Sequence, residues 1–450
     1  MLDLKGFSIF VYRGKLSCDQ ATVTTRNERQ LMRLRGKSRV DMSSSAEHKP
    51  HCWPNRGIIL VSERFGHLGG GEAIKAQQYA NYLLGLGFDL LVITAERSKT
   101  ELGADIPNAN IALIPDTTVQ KLLWRFRPLR KLLGFYFQIY ARKEINRHIG
   151  RFQNPVLHYI SPVSPVELRF PPKGYHTVFG PLTGNIYYPP GFRSRMSVSD
   201  KLREYLHSAM QIFFGRLLGN KRNVDIFLVS GYERTRASLR MAGCSEDQMI
   251  NVVDSGVSTK LASLPRVLHN GFNGRFMCAA RFTDYKGIDL AIRSTALASP
   301  HVTLDIYGDG ELRSELEALV ERLDLKNRVR FMGWVHNDIL IDNFKNYRGF
   351  IFPSLAEANG IIMQEAMMAG LPVVAFRWGG PEMLGDSDST IFIEPRSLDE
   401  AVSDIAIAMN RLSQDSEYAD CLSIKGREIA EKNFTWNSVV SSWLRSYNYM

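Results

Sequence analysis

Phe350-Ile-Phe-Pro-Ser-Leu-Ala-Glu357-Ala-Asn-Gly360-Ile-Ile-Met-Gln-Glu365-Ala-Met-Met-Ala-Gly370-Leu-Pro-Val-Val-Ala-Phe376 reads as one strand–loop–helix–strand unit. Phe350-Ile-Phe352 is a short apolar run, and the helix pattern after Gly360 is stopped by Gly370 and Pro372. Val373-Val-Ala-Phe376 then resumes as a strand. Glu357 falls on the loop at the carboxyl end of the first strand, Gly360 allows a tight turn, and the amides of Ile361 and Ile362 open the helix. Unpaired N–H groups at the positive end of a helix suit an anion, and an acid on either side suits sugar hydroxyls. A nucleotide-sugar combines both chemistries. The plain alternative is a solvated loop and helix that carry two glutamates.

A second element lies upstream. Ala280-Arg281-Phe-Thr-Asp-Tyr-Lys286-Gly287 follows an apolar run at residues 275–280 and precedes a helical pattern. Two cations on one strand-to-helix loop suit a diphosphate, Arg281 as a planar fork and Lys286 as a point charge. Two solvated surface cations would show the same spacing.

Arg281 with Lys286-Gly287, then Ile306-Tyr-Gly308-Asp-Gly310, Val329-Arg-Phe331-Met-Gly333 and the Glu357/Glu365 pair come in an order and spacing that resemble glycosyltransferase family 4. The resemblance extends over roughly residues 57–440 and is looser in the first half. It implies an α/β chain of GT-B type: two Rossmann-like, doubly wound parallel-sheet domains facing across a cleft. It also implies retaining transfer from a nucleoside-diphosphate sugar, with no metal and no cofactor besides that donor. By the same resemblance, Arg281 and Lys286 hold the diphosphate, and Gly333 and Trp334 lie on the base side. Asn359, Gly360, Ile361 and Ile362 contact the donor, Glu365 accepts the ribose hydroxyls, and Glu357 contacts the transferred sugar. Family members often carry Gly and an aromatic after the first glutamate, where Ala358 and Asn359 stand here, so donor preference is expected to differ. Gly69-Gly70-Gly71-Glu72 resembles the acceptor-side loop, with Gly70 and Gly71 close to a sugar. His158, at a strand end in Leu157-His-Tyr-Ile-Ser161, is expected to bond an acceptor hydroxyl and to share the catalytic role with Glu357, Arg281 and Lys286; a packed strand histidine is the plain alternative. Thr183 and Asn185, in Phe179-Gly-Pro-Leu-Thr-Gly-Asn185, are expected acceptor contacts.

The 450 residues suit two domains, and 44% hydrophobic content is that of a globular chain. The pattern alternates strand-like and helical runs from Gly57 onward, which calls for parallel sheets with crossover helices. The expected division is a basic, disordered extension at 1–56, an acceptor-binding domain at 57–262, a nucleotide-sugar-binding domain at 263–432, and a helix at 433–450 crossing back onto the first domain. Residues 259–270 read as the linker.

The formal charge is +10, and residues 1–56 supply about six of those charges. That stretch is either a regulatory or membrane-touching arm or sequence upstream of a start at Met42, with the second preferred. An excess that sits mainly in a tail argues against nucleic-acid binding, which needs a folded basic face. Five scattered cysteines without a CxxC pair favour a reducing compartment, and no apolar run reaches bilayer length, so a cytoplasmic protein is expected. Two mixed apolar and basic segments, residues 121–133 and 212–222, suit an anionic bilayer face and a peripheral location with a glycan or lipid-linked acceptor; ordinary amphipathic helices are the alternative. Gly69-Gly-Gly71 lacks a full dinucleotide fingerprint, and Glu72 would repel pyrophosphate there. Asp386-Ser-Asp388 reads as a turn and not a metal pair, and no acid or histidine cluster has metal-site spacing. The remaining rivals are an epimerase or hydrolase of the same two-domain type and a non-catalytic carbohydrate-binding relative.

Overall fold

A computed structural model describes residues 57–66, 71–100, 110–125, 132–217, 221–267 and 274–448. The 1–56 extension, Gly70, and Arg127, Arg130 and Lys131 of the first basic segment lie outside the described residues.

The first sheet holds β1 (Gly57–Val61), β2 (Asp89–Ala95), β3 (Ile111–Ile114), β4 (Val156–Tyr159), β5 (Thr177–Leu182), β6 (Ile226–Val229) and β7 (Met249–Asn251). The second holds β8 (Arg275–Ala279), β9 (Thr303–Tyr307), β10 (Val329–Gly333), β11 (Gly349–Phe352), β12 (Val373–Phe376) and β13 (Thr390–Ile393). Their orders are β3-β2-β1-β4-β5-β6-β7 and β10-β9-β8-β11-β12-β13, and the paired strands run parallel. Both are doubly wound, so the chain reverses its winding between β1 and β4 and again between β8 and β11. Crevices open at such switch points beyond the carboxyl ends of the strands.

Continuous apolar runs form most of these strands because both faces are covered, whereas the edge strand β10 alternates in burial. In the second sheet Phe276, Cys278, Ile351, Val374 and Phe376 enter one core, whereas Met277, Ala279, Phe350, Phe352, Val373 and Ala375 enter the other. That is the two-residue alternation of a pleated strand.

The passage read as a linker is not wholly irregular. Ser258 accepts the Leu261 amide and caps a short helix, Thr259–Ser263. Val257 and Leu261 are packed into the second sheet's core. The helix Trp436–Leu444 lies against the helix Gly71–Gly85, with Tyr79 and Trp443 ring centres 4.7 Å apart. Lys75 pairs with Asp254 at 2.7 Å, and the Val257 amide donates to Phe434 O at 2.8 Å, tying both crossings together.

One link between the lobes has no counterpart in the sequence reading. Residues 187–195, which leave β5, lie on the second lobe. Phe192 is 1% exposed and belongs to the core around Phe276, 5.7 Å from Phe376. Tyr188 donates to Asp284 at 2.8 Å, and Arg195 pairs with Asp284 at 2.8 Å and Asp289 at 3.0 Å. Asp284 sits on the loop after β8, so this strap grips the loop that carries Lys286.

Candidate active site

The loops after β8 and β11 meet at the second switch point. Gly287 holds φ 62°, and a Cβ there would collide with the Pro353 carbonyl, so the first loop can turn against the second only with glycine. The Leu355 amide donates to Tyr285 O at 2.8 Å and locks the two loops in register. Lys286 Nζ consequently lies 2.5 Å from Glu357 Oε2, with both side chains under one-fifth exposed. Gly360, at φ 75°, precedes the helix Ile361–Ala369, and a Cβ there would stand 3.5 Å from Glu357 Cγ. Cation, carboxylate and helix start thus converge on one spot. The Gly380 amide donates to Glu357 O at 3.0 Å and fixes the turn from behind.

Arg281 is exposed just beyond β8 and forms no ion pair among the described residues. Glu365 is 7% exposed; burial pushes its carboxyl up to about 7 against the opposing effect of an Asn337 amide donating at 3.0 Å. A carboxyl held near neutrality in a cleft is poised to gain from hydrogen-bond donors. Asn359 Oδ1 accepts from Gln364 at 3.1 Å, so it buttresses the helix start. Ile361 is exposed and Ile362 partly so. Gly333 adopts φ 74°, and Trp334 after it is 73% exposed.

The first lobe is different. His158 is fully buried. Its Nε2–H donates to Gly180 O at 2.8 Å and its Nδ1 accepts from the Tyr447 hydroxyl at 2.6 Å, because a carbonyl can only accept. Burial brings the imidazole down to about 4, so it is neutral. Tyr79, Trp443 and Tyr447 enclose the ring. No nitrogen is left for an acceptor hydroxyl, and the acceptor and catalytic roles expected of His158 are corrected to a packing role. Asn185 is 9% exposed, and its Oδ1 accepts from Tyr187 at 2.8 Å and Gln211 at 3.0 Å. Thr183 is half-buried, with its amide on Val163 O at 2.8 Å. Gly71 opens its helix exposed, with free space where a Cβ would stand. Asp386 accepts the Asp388 and Ser389 amides, each at 3.1 Å, and closes a turn.

Two residues escaped the sequence reading. Glu63, two residues beyond β1, is raised by burial against the pull of Arg97, which pairs with it. Its amide donates to Ser161 Oγ at 3.1 Å, joining the loops after β1 and β4 at the first switch point. Position relative to a strand end could have flagged it. Arg234, just beyond β6, stacks 3.5 Å from the Trp378 ring centre and donates to Tyr187 O at 3.2 Å. Its Nη2 is buried without a hydrogen-bond partner among the described residues, and burial lowers the guanidinium to about 10. Nothing in Tyr232-Glu-Arg-Thr signals this, because the partner belongs to the other lobe.

Residues 273–415 match the family model described as Glycosyl transferases group 1. An uncharacterized glycosyltransferase of Methanocaldococcus jannaschii is 29% identical over 170 residues, 37% of this chain and 43% of the relative. The lipopolysaccharide core biosynthesis glycosyltransferase LpsD of Rhizobium meliloti is 29% identical over 164 residues, 36% of this chain and 46% of that protein. The chain matches less than half the length of each of these two relatives. Among solved structures, Anabaena HepE in complex with UDP aligns at a TM-score of 0.59, over 88% of this chain and 100% of that one, with 16% identity. The chain therefore has the two-lobed GT-B fold, and its second lobe carries the group 1 glycosyl transferase match.

Proposed function

We propose that the protein is a retaining glycosyltransferase that moves a sugar from a nucleoside-diphosphate sugar to a glycan or lipid-linked acceptor, in the synthesis of a surface polysaccharide. The observation that carries this reading is the contact of Lys286 with Glu357 beside the helix start at Gly360. An arriving diphosphate competes with Glu357 for the Lys286 ammonium. It gains that cation, Arg281 and the amides of Ile361 and Ile362, and it releases Glu357 toward the hydroxyls of the donor sugar. These groups favour the diphosphate more strongly as its bond to the sugar breaks, so binding energy becomes rate. Charge is balanced by Arg281 and Lys286 without a metal.

Glu365 accepts the ribose hydroxyls, and its raised carboxyl ionises as those donors arrive. Trp334 offers a face for the base. On the acceptor side the carboxylate of Glu63, and not the imidazole of His158, is the group we place at the first switch point. The acceptor oxygen attacks the face from which the phosphate departs, and that phosphate takes its proton. No protein nucleophile is required, and Glu357 positions the sugar.

Isothermal calorimetry with UDP, GDP and ADP and their sugars tests the reading. One nucleotide should bind wild type, with heat lost in Lys286→Ala. Absence of heat with every nucleoside diphosphate overturns it. Hydrolysis or epimerisation of a nucleotide-sugar that proceeds equally with no acceptor present would favour the alternative enzyme of this fold.

A further inference from the structure

The crossover between β5 and β6 carries a helix turned inside out. Along Val198–Ile212 and into the next turn, Val198, Leu202, Tyr205, Leu206, Met210 and Phe213 are 83%, 56%, 73%, 50%, 40% and 48% exposed. Their spacing of four, three, one, four and three residues draws a single stripe down the helix. Two polar residues face the protein instead. Gln211 is fully buried and donates to Asn185 at 3.0 Å, and Glu204 is drawn to Arg193 at 2.6 Å. A helix on a globular protein normally buries its apolar stripe, and a contiguous exposed one marks an interaction surface.

A basic pocket of about 350 Å³ lies at the carboxyl end of that stripe. Arg216, Lys221 and Arg222 line it together with Gly243, Cys244 and Gln248. Arg216 is three residues beyond Phe213, about one helical turn, so stripe and pocket are continuous. Lys221 is 5% exposed, and burial brings its ammonium down to about 8, so an anion in the pocket would favour its charged form.

We propose that this helix and pocket dock the protein on an anionic lipid membrane, the stripe lying among acyl chains at the headgroup boundary and Arg216, Lys221 and Arg222 meeting lipid phosphates. Charge decides for a lipid surface over a second copy of the chain. Residues 198–222 hold five cations (Lys201, Arg203, Arg216, Lys221, Arg222) against two acids (Asp200, Glu204), and Glu204 is taken up by Arg193. A second copy would bring the same excess against itself, within a chain of formal charge +10, whereas acidic headgroups attract it. A helix with an apolar face and basic flanks lies in the plane of such a surface. The strap at 187–195 runs directly into this helix, so a docked helix would hold the donor loop at the bilayer. The inference stands apart from the proposed transfer activity.

Flotation of the full chain with phosphatidylcholine–phosphatidylglycerol vesicles, beside phosphatidylcholine alone, tests it. Wild type should float with the acidic vesicles. The triple variant Leu202→Ser/Tyr205→Ser/Phe213→Ser should lose at least about tenfold in partitioning. Arg216→Gln/Arg222→Gln should lose the salt-sensitive part of binding. Leu202→Ser alone should lose a smaller share, which keeps the test valid if the triple variant fails to fold. Lys286→Ala should float like wild type, so docking and donor binding fail separately. Unchanged flotation of the folded variants overturns the proposal. So does a wild-type dimer in size-exclusion chromatography that the triple variant dissolves, because the stripe would then be covered by a second copy.

Discussion

The two sheets share one strand order over six strands, yet their switch points are built from different kinds of information. At β8 and β11 the chemistry is local: Lys286 and Glu357 lie on loops that adjoin because their strands are neighbours, and Gly287 and Gly360 permit the turns. At β1 and β4 the strand-end histidine is closed off by residues far along the chain. His158 bonds Tyr447 across 289 positions and lies edge-on to Trp443 of the same returning segment. A strand end therefore becomes a site only where no other part of the chain returns to cover it.

Removing the lysine should have the largest effect. Lys286→Ala should cut transfer about 100- to 1,000-fold, the scale of losing one preorganised charge partner, with an unchanged circular dichroism spectrum. A loss below tenfold would detach Glu357's neighbour from catalysis. His158→Ala should act on the other side of the comparison. It leaves a cavity and takes a buried hydrogen-bond partner from Gly180 O and from the Tyr447 hydroxyl, which keeps its bond to Tyr79, at a cost of about 3 kcal/mol read as a lowered denaturation midpoint. If this variant keeps its stability and loses turnover when folded, the histidine belongs to the site after all.

Glu365 sharpens the contrast through pH. Its folded value near 7 lies above the ordinary 4.5, so below pH 4.5 the carboxyl is protonated in both states and its burial costs nothing. From 4.5 to 7 the unfolded chain releases the proton while the folded chain keeps it, and stability falls as pH rises, by at most about 3 kcal/mol. Glu365→Gln should flatten that slope in chemical denaturation measured across the window. Nucleotide binding should strengthen over the same range in wild type only. The smallest effect is expected at Trp334, whose replacement by Ala should cost about 1 kcal/mol in donor affinity by loss of base stacking and should leave stability unchanged. An unaffected Kd would place the base elsewhere.

The strand–loop–helix–strand unit at 350–376 was legible from end to end. Apolar runs, a positive-φ glycine and a Gly/Pro stop each act within a few residues, and the observed Ile361–Ala369 helix and Val373–Phe376 strand follow them. The alternation of the remaining strands was legible for the same reason, since a doubly covered strand must be apolar along its length. What no window of sequence contains is which surfaces end up facing each other. His158 and Asn185 carry the composition of site residues, but Gly180 O and the returning Tyr447 take both ring nitrogens of His158, and the buried Gln211 donates to the Oδ1 of Asn185. Phe192 in the second lobe's core and Arg234 on Trp378 join positions separated by more than a hundred residues. The outward stripe on Val198–Ile212 has the periodicity of any amphipathic helix. Periodicity states that one face is apolar. Only packing decides whether that face meets the core or is left outside it, because burial is a property of the whole set of neighbours and not of the helix.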